Sequence, residues 1–203
     1  MLRIENLAKR YGQHRVFEGL TRDFAPGCYA LNEEDNTGKS TLLKVIAGVL
    51  PPDGGDVFVD GISMVRSSRQ AKARLAFVPD DCMGFPQLSG RELLARTAQE
   101  KKTRVQPEIL RFASKLGLES HLDKPFEQMS TGTRRKVYLC AAAIGEPAVV
   151  LADGPTDGLD TSARIALAET FQLWARNRVV LFASYDAELI KATGAHCLQV
   201  ASL

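Results

Sequence analysis

Residues 31–41 read Leu-Asn-Glu-Glu-Asp-Asn-Thr-Gly-Lys-Ser-Thr, and this stretch decides how the rest of the chain is interpreted. It follows an apolar run at residues 28–31 that predicts a short buried strand. It precedes apolar residues spaced by three and four, which predict a helix with one buried face. These residues are Leu42, Leu43, Val45, Ile46 and Val49. A strand, a tight loop and a helix that opens on Gly-Lys-Ser are typical of a phosphate-binding loop.

The chemistry of such a loop follows from its residues. The first N–H groups of a helix and the helix dipole together form an anion site. The site would use Asn36, Thr37, Gly38, Lys39, Ser40 and Thr41. Lys39 would place its positive charge beside the β and γ phosphates of a nucleotide. Ser40 would give a hydroxyl ligand to Mg²⁺.

The loop departs from the full pattern in two ways. Glu33 stands where the pattern has its first glycine, and Asn36 stands where many such loops have another. Asparagine tolerates a positive φ better than most residues, so Asn36 can hold the turn. The carboxylates at 33–35 must point away from the phosphates, pair with cations, or weaken nucleotide binding.

The whole chain has 203 residues, 45% of them hydrophobic, which suits a single domain spanning residues 1–203. With 26 basic and 24 acidic residues it has no basic block, so no nucleic-acid partner is indicated. No apolar run is long enough to span a bilayer, and the N-terminus lacks the apolar core of a signal peptide. The four cysteines are far apart, and all but Cys82 lie in apolar sequence. Buried free thiols in a reducing cytosol are therefore expected.

Strands and helices alternate along the chain, which predicts a mostly parallel sheet. The predicted strands are residues 2–4, 16–24, 28–31, 57–59, 75–78, 148–152 and 179–183. The predicted helices follow the phosphate loop and cover residues 90–100, 107–117, 130–144 and 163–175.

A second group of motifs lies downstream. The apolar run 149–152 ends on Asp153, which puts a carboxylate at the carboxyl end of a buried strand, where open α/β sheets bind ligands. With a phosphate loop upstream, Asp153 is the expected partner of Mg²⁺. Met129-Ser130-Thr131-Gly132-Thr133 opens a predicted helix, and Gly158-Leu159-Asp160 follows the strand.

In this order and at these separations the motifs resemble the nucleotide-binding domain of ABC transporters, over nearly the full chain. Residues 33–41 resemble the Walker A loop, 129–133 the signature motif, 149–153 Walker B and 158–160 the D-loop. Tyr11 resembles the aromatic residue that stacks on adenine. The resemblance implies an α/β P-loop NTPase (RecA-like) core, an N-terminal antiparallel β layer and a helical insert at about residues 82–144.

The resemblance also implies how such a domain works. ATP with Mg²⁺ would lie between two such domains, with Ser130, Gly132 and Asp160 contributing on the signature side. A membrane-spanning transporter subunit would be the further partner, which places the chain in the cytoplasm, peripheral on the inner face of the membrane. The Q-loop glutamine position is Asp80, a third candidate for the metal site beside Ser40 and Asp153.

Two departures concern catalysis. Gly154 stands where the family has the glutamate that acts as general base, and Tyr185 stands at the switch histidine. Glycine accepts no proton, and a tyrosine hydroxyl is a poor base at neutral pH. The motifs therefore predict that nucleotide binding is mostly kept, whereas hydrolysis is slow or absent.

Three alternatives remain open from the sequence. One is a competent ATPase that uses Asp80, Asp81 or Asp157 as a replacement base. Another is an ATP-sensing or scaffolding protein that is not part of a transporter. The third is a small-molecule kinase, which would not explain residues 129–133 or 158–160.

Overall fold

The computed structural model describes residues 1–33 and 37–203, and its strands form two sheets. The first sheet has the order β2-β1-β4-β5 and is antiparallel. Its strands are β1 (Leu2–Tyr11), β2 (His14–Phe24), β4 (Gly54–Val59) and β5 (Ile62–Ser63). The sequence predicted β1 and β2 only in part, since both strands extend to the turn at Gly12, whose φ is +59°.

The second sheet is parallel throughout and has the order β6-β7-β8-β3-β9. Its strands are β3 (Gly27–Leu31), β6 (Leu75–Val78), β7 (Val149–Asp153), β8 (Val179–Ala183) and β9 (His196–Leu198). β3, β7 and β8 lie side by side, so the loop after β3 and the residues after β7 and β8 share one edge of the sheet. This topology, with the antiparallel sheet beside it, confirms the predicted fold class.

Seven α-helices are found in the described residues. They are α1 (Lys39–Ile46), α2 (Ser68–Ala73), α3 (Gly90–Glu100), α4 (Pro107–Lys115), α5 (Thr131–Ala143), α6 (Thr161–Ala175) and α7 (Ala187–Thr193). α2, α7 and β9 were not predicted. They are six, seven and three residues long, which is too short for a hydrophobic period to stand out.

Caps explain where several helices begin. Ser89 and Glu92 form a reciprocal capping box before α3, and Ser130 accepts the Thr133 N–H before α5. The segment between β6 and β7 consists of α3, α4, α5 and a 3-10 turn at Phe126–Gln128. The prediction of a helical insert at 82–144 falls on this segment, and its status as a separate subdomain stays a prediction.

Two hydrophobic clusters form the core. One joins the helices between β6 and β7 to one face of the parallel sheet, through residues such as Leu94, Phe112 and Val150. The other joins the opposite face of that sheet to α1 and the antiparallel sheet, through residues such as Leu42, Leu151 and Ile4. Val49 lies beyond the end of α1 and is 58% exposed, so its predicted place on the buried face is wrong.

The cysteine interpretation needs two corrections. Cys82 is 2% exposed, although its sequence neighbours are polar, because the chain turns it into the core beside the helices. Cys197 is exposed, although its neighbours are apolar, because β9 is the edge strand of the parallel sheet. Cys28 and Cys140 are buried as expected, and all four are free thiols.

Candidate functional site

The phosphate loop lies between β3 and α1, and its lysine is held by the chain itself. Lys39 is 9% exposed, and its ammonium donates to the Glu33 carbonyl oxygen and to the Tyr185 hydroxyl, both at 2.7 Å. The ammonium also lies 4.7 Å from the centre of the Tyr185 ring. Tyr185 follows β8, the neighbour of β3, which explains how the two distant residues meet.

Gly38 shows why the loop needs a glycine before the lysine. Its φ is +94°, and a Cβ there would lie 2.6 Å from a methyl carbon of Val16 on β2. Gly38 therefore lies close against β2. Thr37 and Thr41 are half-buried beside it, whereas Ser40 is exposed at the helix start.

The acidic residues of the loop divide into two groups. The Glu33 carboxylate accepts the Val200 N–H at 2.7 Å, so it points towards the C-terminal turn and not into the loop. Of the three possibilities for the carboxylates at 33–35, Glu33 therefore follows the first: it points away from the phosphate site. Glu34, Asp35 and Asn36 lie outside the described residues, so the expectations for them stay predictions.

Asp153 and Ser40 meet at the carboxyl edge of the parallel sheet. Asp153 ends β7 and is 5% exposed. Its oxygen Oδ2 is buried and has no hydrogen-bond partner. Burial raises the pKa of this carboxyl above its usual range, and the nearby Ser40 hydroxyl opposes that rise.

A buried carboxylate oxygen without a partner is costly, so this pair suits a hard cation. Within residues 1–33 and 37–203, however, no group of three His, Cys, Asp or Glu side chains lies close enough to hold a metal. Mg²⁺ characteristically binds to one or two protein ligands and completes its shell with phosphates and water. The residues present therefore fit a Mg²⁺ that arrives with a nucleotide.

The residue after Asp153 has a backbone conformation that favours glycine. Gly154 has a φ of +57°, and a Cβ there would lie 2.2 Å from Asp157 Oδ2 and 3.2 Å from Arg135 Nη1. The backbone conformation and these contacts both favour glycine. A glutamate at this position would therefore need a strained backbone and a shift of the exposed Asp157 carboxylate.

Asp80 follows β6 and faces Arg135. Its carboxylate is 68% exposed and lies 3.3 Å from Arg135 Nη2, so it is at the junction between the sheet and α5. This contact favours Asp153 and Ser40 over Asp80 as the metal-binding pair. The assignment of Asp80 as a metal ligand stays a prediction.

The residues of the predicted signature side lie together at the start of α5. Ser130 caps the helix, and Gly132 packs so closely on Gly158 that a Cβ would lie 2.0 Å from the Gly158 carbonyl oxygen. Asp160 caps α6 and binds the Lys136 ammonium at 2.6 Å. Lys136, Ser162 and the Ala163 N–H hold the pKa of Asp160 well below its usual range.

Tyr11 lies apart from these residues, at the end of β1. It is 52% exposed, and the Lys9 ammonium lies 5.8 Å from its ring centre. An exposed aromatic face is available there for stacking, and its role with adenine stays a prediction.

Sequence reasoning missed Arg135, whose side chain reaches the backbone of both Asp153 and Gly154. The available signal was its position: with Gly132 and Leu139 it occupies one helical face, and a charge on an otherwise buried face needs a reason.

The comparisons with known proteins identify the class of protein that this fold and site define. The family model described as ABC transporter matches residues 29–157, which is more than half of the chain. The chain therefore belongs to the ABC transporter family, in its ATP-binding domain. Among the helices of the described residues, none is long and apolar enough to cross a membrane.

Particular relatives narrow the comparison. The chain is 32% identical to the Nod factor export ATP-binding protein I of Paraburkholderia xenovorans (strain LB400), over 92% of this chain and 63% of the relative. It is 28% identical to the Linearmycin resistance ATP-binding protein LnrL of Bacillus subtilis (strain 168), over 94% of this chain and 63% of the relative. The chain thus spans slightly less than two thirds of these relatives.

Solved structures share the fold. An ATP-binding subunit of an ABC transporter matches with a TM-score of 0.85 and 24% identity, over 95% of this chain and 82% of the other. A dimeric ATP-binding cassette in a post-hydrolysis state, bound to ADP and Pi, matches with a TM-score of 0.82 and 18% identity, over 98% and 95%.

Proposed function

We propose that this chain is the ATP-binding subunit of an ABC-type exporter that binds Mg²⁺-ATP and hydrolyses it slowly or not at all at its own Walker site. The observation that carries the proposal is the contrast at the end of β7. Asp153 and Ser40 are paired for a metal, whereas Gly154 offers no base. The relatives named for export of Nod factor and for linearmycin resistance support the transport class.

The binding residues would act mainly through charge and position. Lys39 and the N–H groups at the start of α1 would hold the phosphates, while Ser40 and Asp153 would hold Mg²⁺. When bound, Mg²⁺ would supply charge neutralisation between the β and γ phosphates. Lys39 would first have to leave the Tyr185 hydroxyl, so weak binding by the isolated chain is expected.

Two partners complete the proposal. A second nucleotide-binding domain, identical or different, would close over the nucleotide with its own signature residues, and this chain would offer Ser130 and Gly132 in return. A membrane-spanning subunit would contact the Asp80 junction and the helices after it, which keeps the chain cytoplasmic at the inner face of the membrane. Solved relatives described as dimeric support the first contact.

Titration calorimetry with Mg²⁺-ATP tests the binding half. Lys39→Ala should weaken binding by about 10-fold or more, because a charged hydrogen bond contributes about 1.5–3 kcal/mol. Lys72→Ala, on the exposed face of α2, is the matched control and should bind as the unmodified chain does. Submicromolar binding by the unmodified chain would contradict the expectation of a weak site.

Steady-state phosphate release tests the hydrolytic half. The unmodified chain should turn over well below about 1 s⁻¹, because a general base contributes about 10²–10⁴ in rate. Gly154→Glu with Tyr185→His should restore little, since glutamate at 154 would have to adopt a left-handed backbone with a φ of +57° and displace the Asp157 carboxylate. Adding Asp157→Ala makes room and should give the larger gain.

The competent-ATPase alternative makes the opposite prediction. Suppose that the unmodified chain turns over near 1 s⁻¹ and that Asp157→Asn abolishes this turnover. The general base would then be Asp157, and the competent-ATPase alternative would replace the proposal. Co-purification with a membrane protein separates the transporter from a scaffold. In the assembled complex, Ser130→Ala should reduce activity more than a change at Gly154.

A further inference from the structure

Arg135 lies on α5, where the loop after β6 meets the turn after β7. Its side chain is 2% exposed and extends from α5 below the carboxyl edge of the parallel sheet. Nη1 donates to the carbonyl oxygens of Asp153, at 3.2 Å, and of Gly154. Nη2 donates to the Asp80 carbonyl oxygen at 2.8 Å and to its carboxylate at 3.3 Å. One buried cation thus binds the loop after β6 and the turn after β7.

The compensating charges are unusual because they lie outside the core. Asp80 and Asp157 approach the guanidinium to 3.3 and 3.8 Å, yet their side chains are 68% and 65% exposed. A buried charge that loses its partner destabilises the protein strongly, so the two carboxylates are not independent. Whatever draws one of them away leaves the guanidinium dependent on the other.

We propose that Arg135 is a positioning residue that couples the Asp80 loop to the turn formed by residues 153–157. The proposal rests on the proposed function only in naming what acts on the two ends. A partner would act on the Asp80 loop, whose following residues Met83 and Phe85 are exposed, and Mg²⁺-nucleotide would act on Asp153. Arg135 would not touch the nucleotide.

Gly154 belongs to the same device. Its left-handed backbone is part of the turn whose carbonyl oxygens accept from Arg135, and a Cβ would collide with Asp157. A side chain at 154 would therefore require the exposed Asp157 carboxylate to move, and it would have to adopt a left-handed backbone. Gly154 thus fits the turn in which Arg135 and Asp157 lie close together.

Hydrogen exchange of the full chain without nucleotide tests the coupling directly. The amides of Gly154, Asp157 and Leu159 are hydrogen-bonded within or beside the turn, so their exchange reports its opening. Asp80→Asn should speed exchange at residues 153–159 on the order of fivefold or more, and Asp157→Asn should do the same at residues 78–84. Coupling between two sites is reciprocal, so both directions are required.

Asp81→Asn is the matched control. Asp81 is the next residue, and its carboxylate accepts the Met83 N–H within its own loop. It should change exchange near residue 83 and leave 153–159 as in the unmodified chain. Two outcomes would overturn the proposal. One is that Asp80→Asn and Asp157→Asn each change exchange only in the mutated loop. The other is that Asp80→Asn and Asp81→Asn affect exchange in the turn equally.

A second measurement distinguishes positioning from simple stability. The ratio of ATP affinity with Mg²⁺ to ATP affinity in chelator should fall on the order of fivefold in Asp157→Asn, because Asp153 moves with the turn. The same ratio should fall in Arg135→Lys, because lysine keeps the positive charge but lacks the planar set of N–H donors that binds both loops. Equal weakening with and without Mg²⁺ would indicate only a structural role and would overturn the proposal.

The two proposals fail separately. A chain that binds no nucleotide, yet shows reciprocal exchange effects, would refute the proposed function and keep the coupling. If the chain binds Mg²⁺-ATP and the exchange effects stay local, the coupling would be refuted and the proposed function would stand. If Arg135→Lys does not fold, the Asp80 and Asp157 variants still decide the matter, since both residues are at the surface.

Discussion

The phosphate loop and the start of α5 differ in how their polar groups are satisfied. At the phosphate loop, the group expected to bind phosphate already has partners within the chain. The Lys39 ammonium donates hydrogen bonds to the Tyr185 hydroxyl and to the Glu33 carbonyl oxygen. At the start of α5 the polar groups serve the fold without blocking the surface: Ser130 caps the helix and remains exposed. The comparison supports the proposal that this chain presents its signature side to a partner more readily than it holds a nucleotide in its own loop.

The largest expected effect tests the signature side. Gly132→Ala should destabilise the chain by about 1–3 kcal/mol, because the added methyl group would lie against the Gly158 carbonyl oxygen and force the two segments apart. Denaturant unfolding measures this change. Gly54→Ala is the control, since its Cβ would meet only Ala8 at an ordinary 3.5 Å. Equal small effects would show that the close contact between Gly132 and Gly158 relaxes easily.

The next prediction compares a carboxylate from each region. Asp153→Asn should stabilise the nucleotide-free chain by roughly 1 kcal/mol, because it removes a buried charge, one of whose oxygens has no hydrogen-bond partner. Asp160→Ala should destabilise it by about 1 kcal/mol, because α6 loses the cap on the Ala163 N–H. Thermal unfolding at neutral pH without Mg²⁺ measures both. Shifts of the same sign would remove the contrast between the two regions.

The same pair should respond oppositely to acid. The pKa of Asp153 is raised in the folded chain, so the folded state binds this proton first and gains stability as pH falls through the raised value. The pKa of Asp160 is lowered, so its stabilisation is present above its usual pKa and is lost as pH falls below it. Each variant should lack its own part of the pH profile.

The smallest expected effect sharpens the account of the phosphate loop. Tyr185→Phe should raise Mg²⁺-ATP affinity by about 3- to 10-fold, because removing one hydrogen-bond partner of Lys39 lowers the cost of turning it to a phosphate by about 1 kcal/mol. The ring contact with the ammonium would remain. Tyr29→Phe, whose hydroxyl donates to the Ala25 carbonyl, is the control. Weaker binding in Tyr185→Phe would mean that the hydroxyl assists the nucleotide.

Local patterns predicted much of the framework. β6, β8 and α3 were predicted at their observed bounds, and β7 and α5 were within one residue at each end, because continuous apolar runs and helical spacing are local signals. The position of Asp153 at the end of β7 followed from the same signal. The short elements α2, α7 and β9 were not predicted, because they are too short to show a hydrophobic pattern. The burial of Cys82 and the exposure of Cys197 were not predicted either, because they depend on where the chain turns in the fold.

The sequence by itself therefore determined the family, the α/β class and the residue types available for phosphate, metal and signature contacts. Only the tertiary structure decided what those residues do to one another. Lys39 meets Tyr185 across 146 residues, and Glu33 meets Val200 across 167. Such contacts depend on strand order, because parallel neighbours bring the residues after β3 and β8 to one edge whatever their separation in sequence. Arg135 belongs with them: its spacing marked it as buried, and the fold alone supplied the carbonyls and carboxylates that hold its charge.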